Sequence, residues 1–515
     1  MGFLKRLFRA AAEERSSRGA AVLMLLFRLA SKPFGYLRML MMAWFFGASA
    51  GMDAYNMVIG VSGLLSGFFV SGVQSALMPA ISRCHKEDEP KARDLMGFFN
   101  LVIVLLSLFI AAVVALYPEP VMGLFAPGFS GERLAVAVSL MPLGGSFIVL
   151  SAINSGLEAW SVGTERYAML PLLGAVSSAI SLVLMVGLLY LGFGIFGAAV
   201  SMASNYFLLA LLSCMALGDV PLRFKRVPWG EVKGILSALP PCWIMIGVWS
   251  LYSVVDRYFA SLLSIGGITH VYYAELLFGL GAGLLCNPLM VYLSKVSRDG
   301  EEAYGISKVL SIGFAYFIPL GWSAFGAAVP AVGLLFGHGA FSPEDARVTG
   351  ICAAILSVFL PFYVANESFF RLAQARGCLY RVAFVVVLSA GLNAFVDWLL
   401  YRSLGAYGLM LATASSMVLG FLVYPRVLEG RWVVGVKLRW MLPQMLLGAA
   451  WGGVLMRLSL GAEGFGSRVL CVSLSLLCAV MHLLVLDKLG FYGVLPAGWR
   501  PRELMRLLGL GRLGV

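Results

Sequence analysis

Residues 20–46 read AAVLMLLFRLASKPFGYLRMLMMAWFF, twenty-seven positions that are almost wholly apolar and yet contain Arg28, Lys32 and Arg38. A segment of this length spans the hydrocarbon core of a bilayer as an α-helix. Hydrocarbon penalises a basic residue at the centre of such a helix by at least ~2.5–3.5 kcal/mol, so three of them need a polar reason. Residues of this kind face a water-filled cavity or a pathway, which predicts a membrane protein that holds an anionic group partway across the bilayer. Arg28 and Lys32, spaced i, i+4, share a helix face with ~6 Å of rise between them. Arg38 lies roughly 80° round the ideal wheel from Arg28, and Pro33 with Gly35 is expected to bend the span between them.

Composition supports the same class. The 515 residues are 60% hydrophobic and 12% charged, with a mean hydropathy of +0.89, which excludes a soluble globular chain and predicts an all-α polytopic membrane protein. About 14 spans are expected, starting near residues 20, 53, 94, 133, 167, 194, 236, 269, 305, 347, 380, 404, 439 and 466. The basic start (Lys5, Arg6, Arg9, Arg15, Arg18) leads directly into a full-length span, unlike a cleavable signal peptide. With both termini in the cytoplasm, the far side receives only Arg133, Arg347, Arg402, Arg457 and Arg468 of the 38 basic residues, while Arg28, Lys32, Arg38 and Arg257 fall within spans. That asymmetry is the positive-inside rule. It accounts for the net charge of +12 without nucleic acid. Eight scattered cysteines and four isolated histidines (His85, His270, His338, His482) form neither a disulfide framework nor a zinc pattern.

The chain repeats itself at an offset of about 211 residues. Leu124-Phe-Ala-Pro-Gly128-Phe-Ser130 returns as Leu335-Phe-Gly-His-Gly339-Ala-Phe-Ser342, Asn154 returns as Asn366, and Phe196-Gly197 returns as Tyr407-Gly408. Six spans per copy is an even number, so the copies share one orientation, the parallel-repeat plan of alternating-access transporters. The expected division is 1–218 (six spans), 219–430 (six spans) and 431–515 (two further spans and a tail). Linkers are too short for a catalytic domain, and there is no Walker lysine motif, so a transporter is expected and an enzyme is not.

Polar residues inside the other spans are the remaining candidates. Asp256 and Arg257 are adjacent in the seventh span, and Asn393 and Asp397 share a face (i, i+4) in the eleventh, with Thr413 in the twelfth. Two carboxylates, an amide and a hydroxyl form an oxygen set suited to a hard cation. The alternative is that one of the acids only neutralises Arg257. Glu275 is either a partner for a cation or a protonatable group. Asp53 is either part of the anion site or the partner of Arg38.

Ser31-Lys32-Pro-Phe-Gly35-Tyr-Leu-Arg38, Phe46-Gly-Ala48, Asp53-Ala-Tyr55, Leu124–Ser130, Asp256-Arg257-Tyr-Phe-Ala-Ser261 and Tyr272-Tyr-Ala-Glu275 together resemble the MurJ (MviN-type) lipid II flippases of the multidrug/oligosaccharidyl-lipid/polysaccharide exporter superfamily. The resemblance covers about residues 30–425. It implies two six-helix lobes plus two helices that groove a lipid tail, and flipping of an undecaprenyl-pyrophosphate-linked sugar, lipid II for peptidoglycan, across the inner membrane. It implies substrate binding by Lys32 and Arg38 and sodium binding by Asp256, Asn393, Asp397 and Thr413, while Arg28, this chain's own extra cation, and the acids Asp53 and Glu275 are expected beside the substrate from the residues themselves. Expected partners are the polyprenyl-linked sugar lipid, membrane lipids and cell-wall synthesis proteins. The pattern departs from the family at Ser66 and Leu276, where it has arginines, and at Lys32, which lacks the bidentate fork of arginine. The alternatives are a flippase for another polyprenyl-linked glycan, a drug/ion antiporter and a non-transporting cell-wall scaffold.

Overall fold

The structure is a computed structural model that describes residues 17–67, 69, 74–298, 302–376, 378–429, 438–495, 500–501 and 503. Lys5, Arg6, Arg9 and Arg15 of the basic start lie outside them. The described chain is helical and divides into two compact units, Met1–Ile265 and Gly266–Val515. The first holds α1 (Ser17–Phe46), α2 (Ala50–Gly67), α3 (Gln74–Glu87), α4 (Glu89–Leu116), α5 (Pro118–Phe125), α6 (Gly131–Gly163), α7 (Met169–Tyr190), α8 (Gly194–Leu217) and α9 (Trp229–Ser261). The second holds α10 (Gly267–Arg298), α11 (Glu302–Leu335), α12 (Pro343–Val358), α13 (Leu360–Ala375), α14 (Leu379–Leu404), α15 (Ala406–Glu429), α16 (Leu438–Leu460) and α17 (Phe465–Lys488).

Eight of these helices, α4, α6, α7, α8, α11, α14, α15 and α17, are individually long and apolar enough to cross a membrane among the described residues. The pair α12–α13, bent by 55°, supplies a ninth as one broken span. α1 is 30 residues long and carries Arg28, Lys32 and Arg38. Large apolar side chains point outward along the bundle, among them Phe109 at 66%, Val183 at 73% and Trp398 at 62% exposure. In water such a surface would aggregate; in lipid it is the ordinary solvated face.

In the first unit α6 is the central helix, with α2, α3, α4 and α8 packed on it, while α1 lies along α7 and α9 joins α2 and α3. Glycines allow the closest approaches: a Cβ on Gly144 would meet Ser62 Oγ at 2.5 Å, and one on Gly156 would meet Asn100 Oδ1 at 2.6 Å. In the second unit α11 is the post against which α12, α16 and α17 pack. Gly448 and Gly452 of α16 bring its backbone onto the Trp322 ring, where a Cβ would sit 2.2 Å and 3.0 Å from ring atoms. Arg468 donates to the Gly333 carbonyl at 3.0 Å. Just beyond α17, burial raises the Tyr492 phenol above its ordinary pKa. It therefore stays protonated and hydrogen-bonds Gln444 Oε1 at 3.1 Å and the Ala315 carbonyl at 3.3 Å. The last two helices are thus firmly docked on the second unit.

Residues at the repeat offset hold matching local roles. Asn154 on α6 donates from Nδ2 to the Tyr206 carbonyl of α8 at 2.9 Å. Its repeat, Asn366 on α13, donates from Nδ2 to the Met417 carbonyl of α15 at 2.9 Å. The repeated serines also match: Ser130 is the N-cap of α6 and Ser342 the N-cap of α12. Ser342 and Asp345 there form a reciprocal capping box, at 3.1 and 2.9 Å.

Candidate functional site

The cations of α1 have three different surroundings. Arg28 is exposed and lies 3.5 Å from Glu158 of α6. Its carbonyl accepts the Ser31 hydroxyl at 2.8 Å, a back-bond of the kind that bends helices at a following proline. Lys32, one turn on, is exposed and has no carboxylate within ion-pair distance among the described residues. Arg38 is half-buried and donates from Nη2 to Ser181 Oγ on α7. Its Nε is buried without a hydrogen-bond partner among the described residues. A half-buried guanidinium satisfied at one nitrogen only retains donors for an anion. Ser181, itself fully buried, fixes which nitrogen that is.

Asp53 is fully buried at the start of α2, and its ion-pair partner is Arg133 of α6, 3.8 Å away. Arg38 is engaged elsewhere, with Ser181. Arg133 also donates to the Leu263 carbonyl at 3.0 Å and the Gly128 carbonyl at 3.4 Å, and its guanidinium lies over the Phe129 ring, 5.2 Å from the centroid. Gly128 is the glycine of the repeated loop: its N–H bonds Ser261 Oγ at 3.3 Å. A Cβ there would lie 2.2 Å from the Ser261 carbonyl oxygen. One arginine therefore ties together α2, the loop before α6 and the end of α9.

Also in the first unit, Asp256 is buried on α9, and the neighbouring Arg257 lays its guanidinium on α2 at Gly60. A Cβ on Gly60 would lie 1.7 Å from Arg257 Nη1, so only glycine leaves this slot open.

In the second unit Asn393 and Asp397 are both fully buried. Asn393 Nδ2 donates to Asp397 Oδ2 at 2.9 Å. Ser416 of α15 reaches Asn393 Oδ1 at 3.4 Å while donating to the Ser389 and Ala412 carbonyls at 3.0 and 3.1 Å. Thr413, one turn away, donates to the Leu409 carbonyl at 3.2 Å. The Asp397 carboxylate, the Asn393 amide and the Ser416 hydroxyl, which meet between α14 and α15, are oxygen donors of the type that sodium takes. Glu275 is half-buried on α10. Ser181, Glu158, Arg133 and Ser416 were not legible as site residues, because a lone serine or one half of an ion pair between helices carries no motif.

This geometry is that of a polytopic helical transporter, with cations in one unit and a buried acid–amide pair in the other. Solved structures of that class share the fold. The chain superposes on a structure described as lipid II flippase MurJ in an inward closed conformation, with TM-score 0.76 and 19% identity over 92% of this chain and all of that one. It also superposes on an inward-facing multidrug resistance MATE family transporter of the MOP superfamily, with TM-score 0.59 and 16% identity over 85% and 99%.

The profile of the family described as "Lipid II flippase MurJ" matches residues 42–478, and the chain belongs to that family. Among its relatives, a probable lipid II flippase of Thermotoga maritima is 25% identical over 406 residues, 76% of this chain and 81% of the other. Another, of Synechocystis sp., is 24% identical over 473 residues, 85% and 84% of the two chains. The protein is a multi-pass membrane transporter, and its family is one of flippases rather than enzymes.

Proposed function

We propose that this protein flips lipid II, an undecaprenyl-pyrophosphate-linked sugar, from the inner to the outer face of the cytoplasmic membrane by alternating access, with both termini inside. The observation that carries the reading is α1, where Lys32 and Arg38 stand in a membrane span at the positions of the family's first-helix arginines. Lys32 has no carboxylate partner among the described residues, and Arg38 has an unsatisfied Nε. A pyrophosphate is the kind of group that such donors bind. Arg28 is offset by Glu158 and is a weaker ligand. Asp53 acts through Arg133 as a structural pair. Sodium would be held in the second unit by Asn393, Asp397 and Thr413, and its gradient would drive the cycle.

Complementation of a flippase-depleted cell tests this. Wild type should restore growth, while Lys32→Ala and Arg38→Ala should fail at equal membrane abundance. A second reading, a flippase for another polyprenyl-linked glycan, is favoured by Ser66 and Leu276, where the family carries arginine. It predicts that the correctly inserted wild type does not rescue.

A further inference from the structure

The segment between α8 and α9 is not a loose linker. It runs across one face of α4 and is fastened at four successive points. Arg93 Nη1 donates to the Asp219 carbonyl at 3.3 Å, and Asn100 Nδ2 donates to the Pro221 carbonyl at 2.9 Å. Both oxygens of Asp94 accept backbone N–H groups, from Lys225 at 2.7 Å and Arg226 at 3.2 Å. At Gly97 the linker touches the helix backbone: a Cβ would lie 2.4 Å from the Arg223 carbonyl oxygen.

The acids that touch this segment, Asp94, Asp219 and Glu231, are each engaged within the unit, while Glu87, Asp88 and Glu89 around the start of α4 stay exposed. Asp219 takes both Nη atoms of Arg166 at 2.9 and 3.0 Å. Asp94 is occupied by the two amides, and Glu231 by Lys91 at 2.9 Å. Arg223, Lys225, Arg226 and Lys233 face outward with no carboxylate partner among the described residues. Between them Leu222 is 76% and Trp229 59% exposed. Val232 and Ile235, on the other side of α9, are buried. The result is a rigid strip at the end of two long helices, with outward cations and two large apolar side chains.

We propose that this strip binds the headgroups of anionic phospholipids in the cytoplasmic leaflet, with Leu222 and Trp229 immersed at the level of the glycerol backbone. Juxtamembrane basic clusters are attracted to that leaflet, and tryptophan belongs at this depth. An exposed Leu–Trp pair would be a liability on a loop that stood clear in water. Because Asp94 and Gly97 hold the backbone in place, little ordering is needed on binding. The inference rests on the proposed inside placement of this end of the helices and not on the substrate.

The test uses full-length protein in nanodiscs of zwitterionic lipid, doped with equal small fractions of brominated phosphatidylglycerol or brominated phosphatidylcholine. Quenching of Trp229 is taken as the difference between wild type and Trp229→Phe. Brominated phosphatidylglycerol should quench at least about fivefold more efficiently, the ratio given by ~1 kcal/mol for a single cation at the surface. The preference should fall with added salt and vanish in Arg223→Gln/Lys225→Gln/Arg226→Gln/Lys233→Gln. Asp94→Ala, which frees the backbone but keeps every cation, should weaken it. Equal quenching by both lipids in wild type overturns the proposal, as does a preference that survives the fourfold substitution or high salt. Lipid II flipping enters none of these readings.

Discussion

Arg133→Met separates the structural role assigned to Asp53 from a substrate-binding one. The pair is buried, with Asp53 at 0% and Arg133 at 11% side-chain exposure, and removing the guanidinium also strips a donor from the Leu263 and Gly128 carbonyls. Breaking a buried ion pair by deleting one partner costs roughly 3–5 kcal/mol, because a charge is left without compensation. The 3.8 Å separation is long for such a pair, which places the expected loss near the lower end, about 3 kcal/mol. For a domain of 150–250 residues, about 2–4 °C of Tm is lost per kcal/mol, so a fall of roughly 6–12 °C is expected. Asp53→Asn combined with Arg133→Met should recover part of it, with a coupling of at least about 0.5 kcal/mol. Thermal unfolding of the purified protein in detergent, followed by tryptophan fluorescence, reads all four corners of the cycle. Strictly additive effects, or an Arg133→Met protein that melts with wild type, would refute the reasoning.

Gly448→Ala forces a methyl group into the Trp322 ring and should lower stability by roughly 1–3 kcal/mol as overpacking, with α16 becoming accessible to limited proteolysis before the rest of the chain. An unchanged proteolysis pattern would mean that α16 is not seated on α11. Gly60→Ala displaces the Arg257 guanidinium from α2 and should lower transport as much as Arg257→Gln does, with no further loss in the double variant; wild-type transport in Gly60→Ala would contradict the slot. Asp397→Asn keeps the hydrogen bond from Asn393 within reach but removes the charge, so sodium dependence of transport should disappear. Transport by wild type that is equal in sodium and in choline would sink ion coupling at this position.

The helical class was legible because it is written in composition. A bilayer demands long apolar helices, and Asn154 and Asn366, at the repeat offset, each donate to a carbonyl of a neighbouring helix, Tyr206 and Met417. The cations of α1 were legible for the same reason: charge in hydrocarbon is rare enough to be seen. Their partners were not. Whether Arg38 meets Asp53 or Ser181 depends on which helix lies beside α1, and that is decided by packing of α1 on α7, not by a motif. Arg133, one of the basic residues that the charge count simply assigned to the far side, turned out to be the partner of Asp53. The docking of α16 and α17 was equally hidden, since glycines facing Trp322 look like any small residues in a span. Asn393 and Asp397 were read as sharing a face, and their 2.9 Å hydrogen bond follows from that i, i+4 spacing.

The central claim is that Lys32 and Arg38 hold the pyrophosphate of lipid II. The direct measurement places fluorescently labelled lipid II in proteoliposomes and follows its protection from a membrane-impermeant quencher. Wild type should exchange the label between leaflets, and Lys32→Gln/Arg38→Gln should slow exchange by at least about a hundredfold, as expected from losing two charge-assisted hydrogen bonds of ~1.5–3 kcal/mol each. Lys32→Arg, which keeps the charge and adds a fork, should retain exchange. Exchange that persists in the double Gln variant, or is absent from wild type reconstituted in a single folded state, contradicts the account.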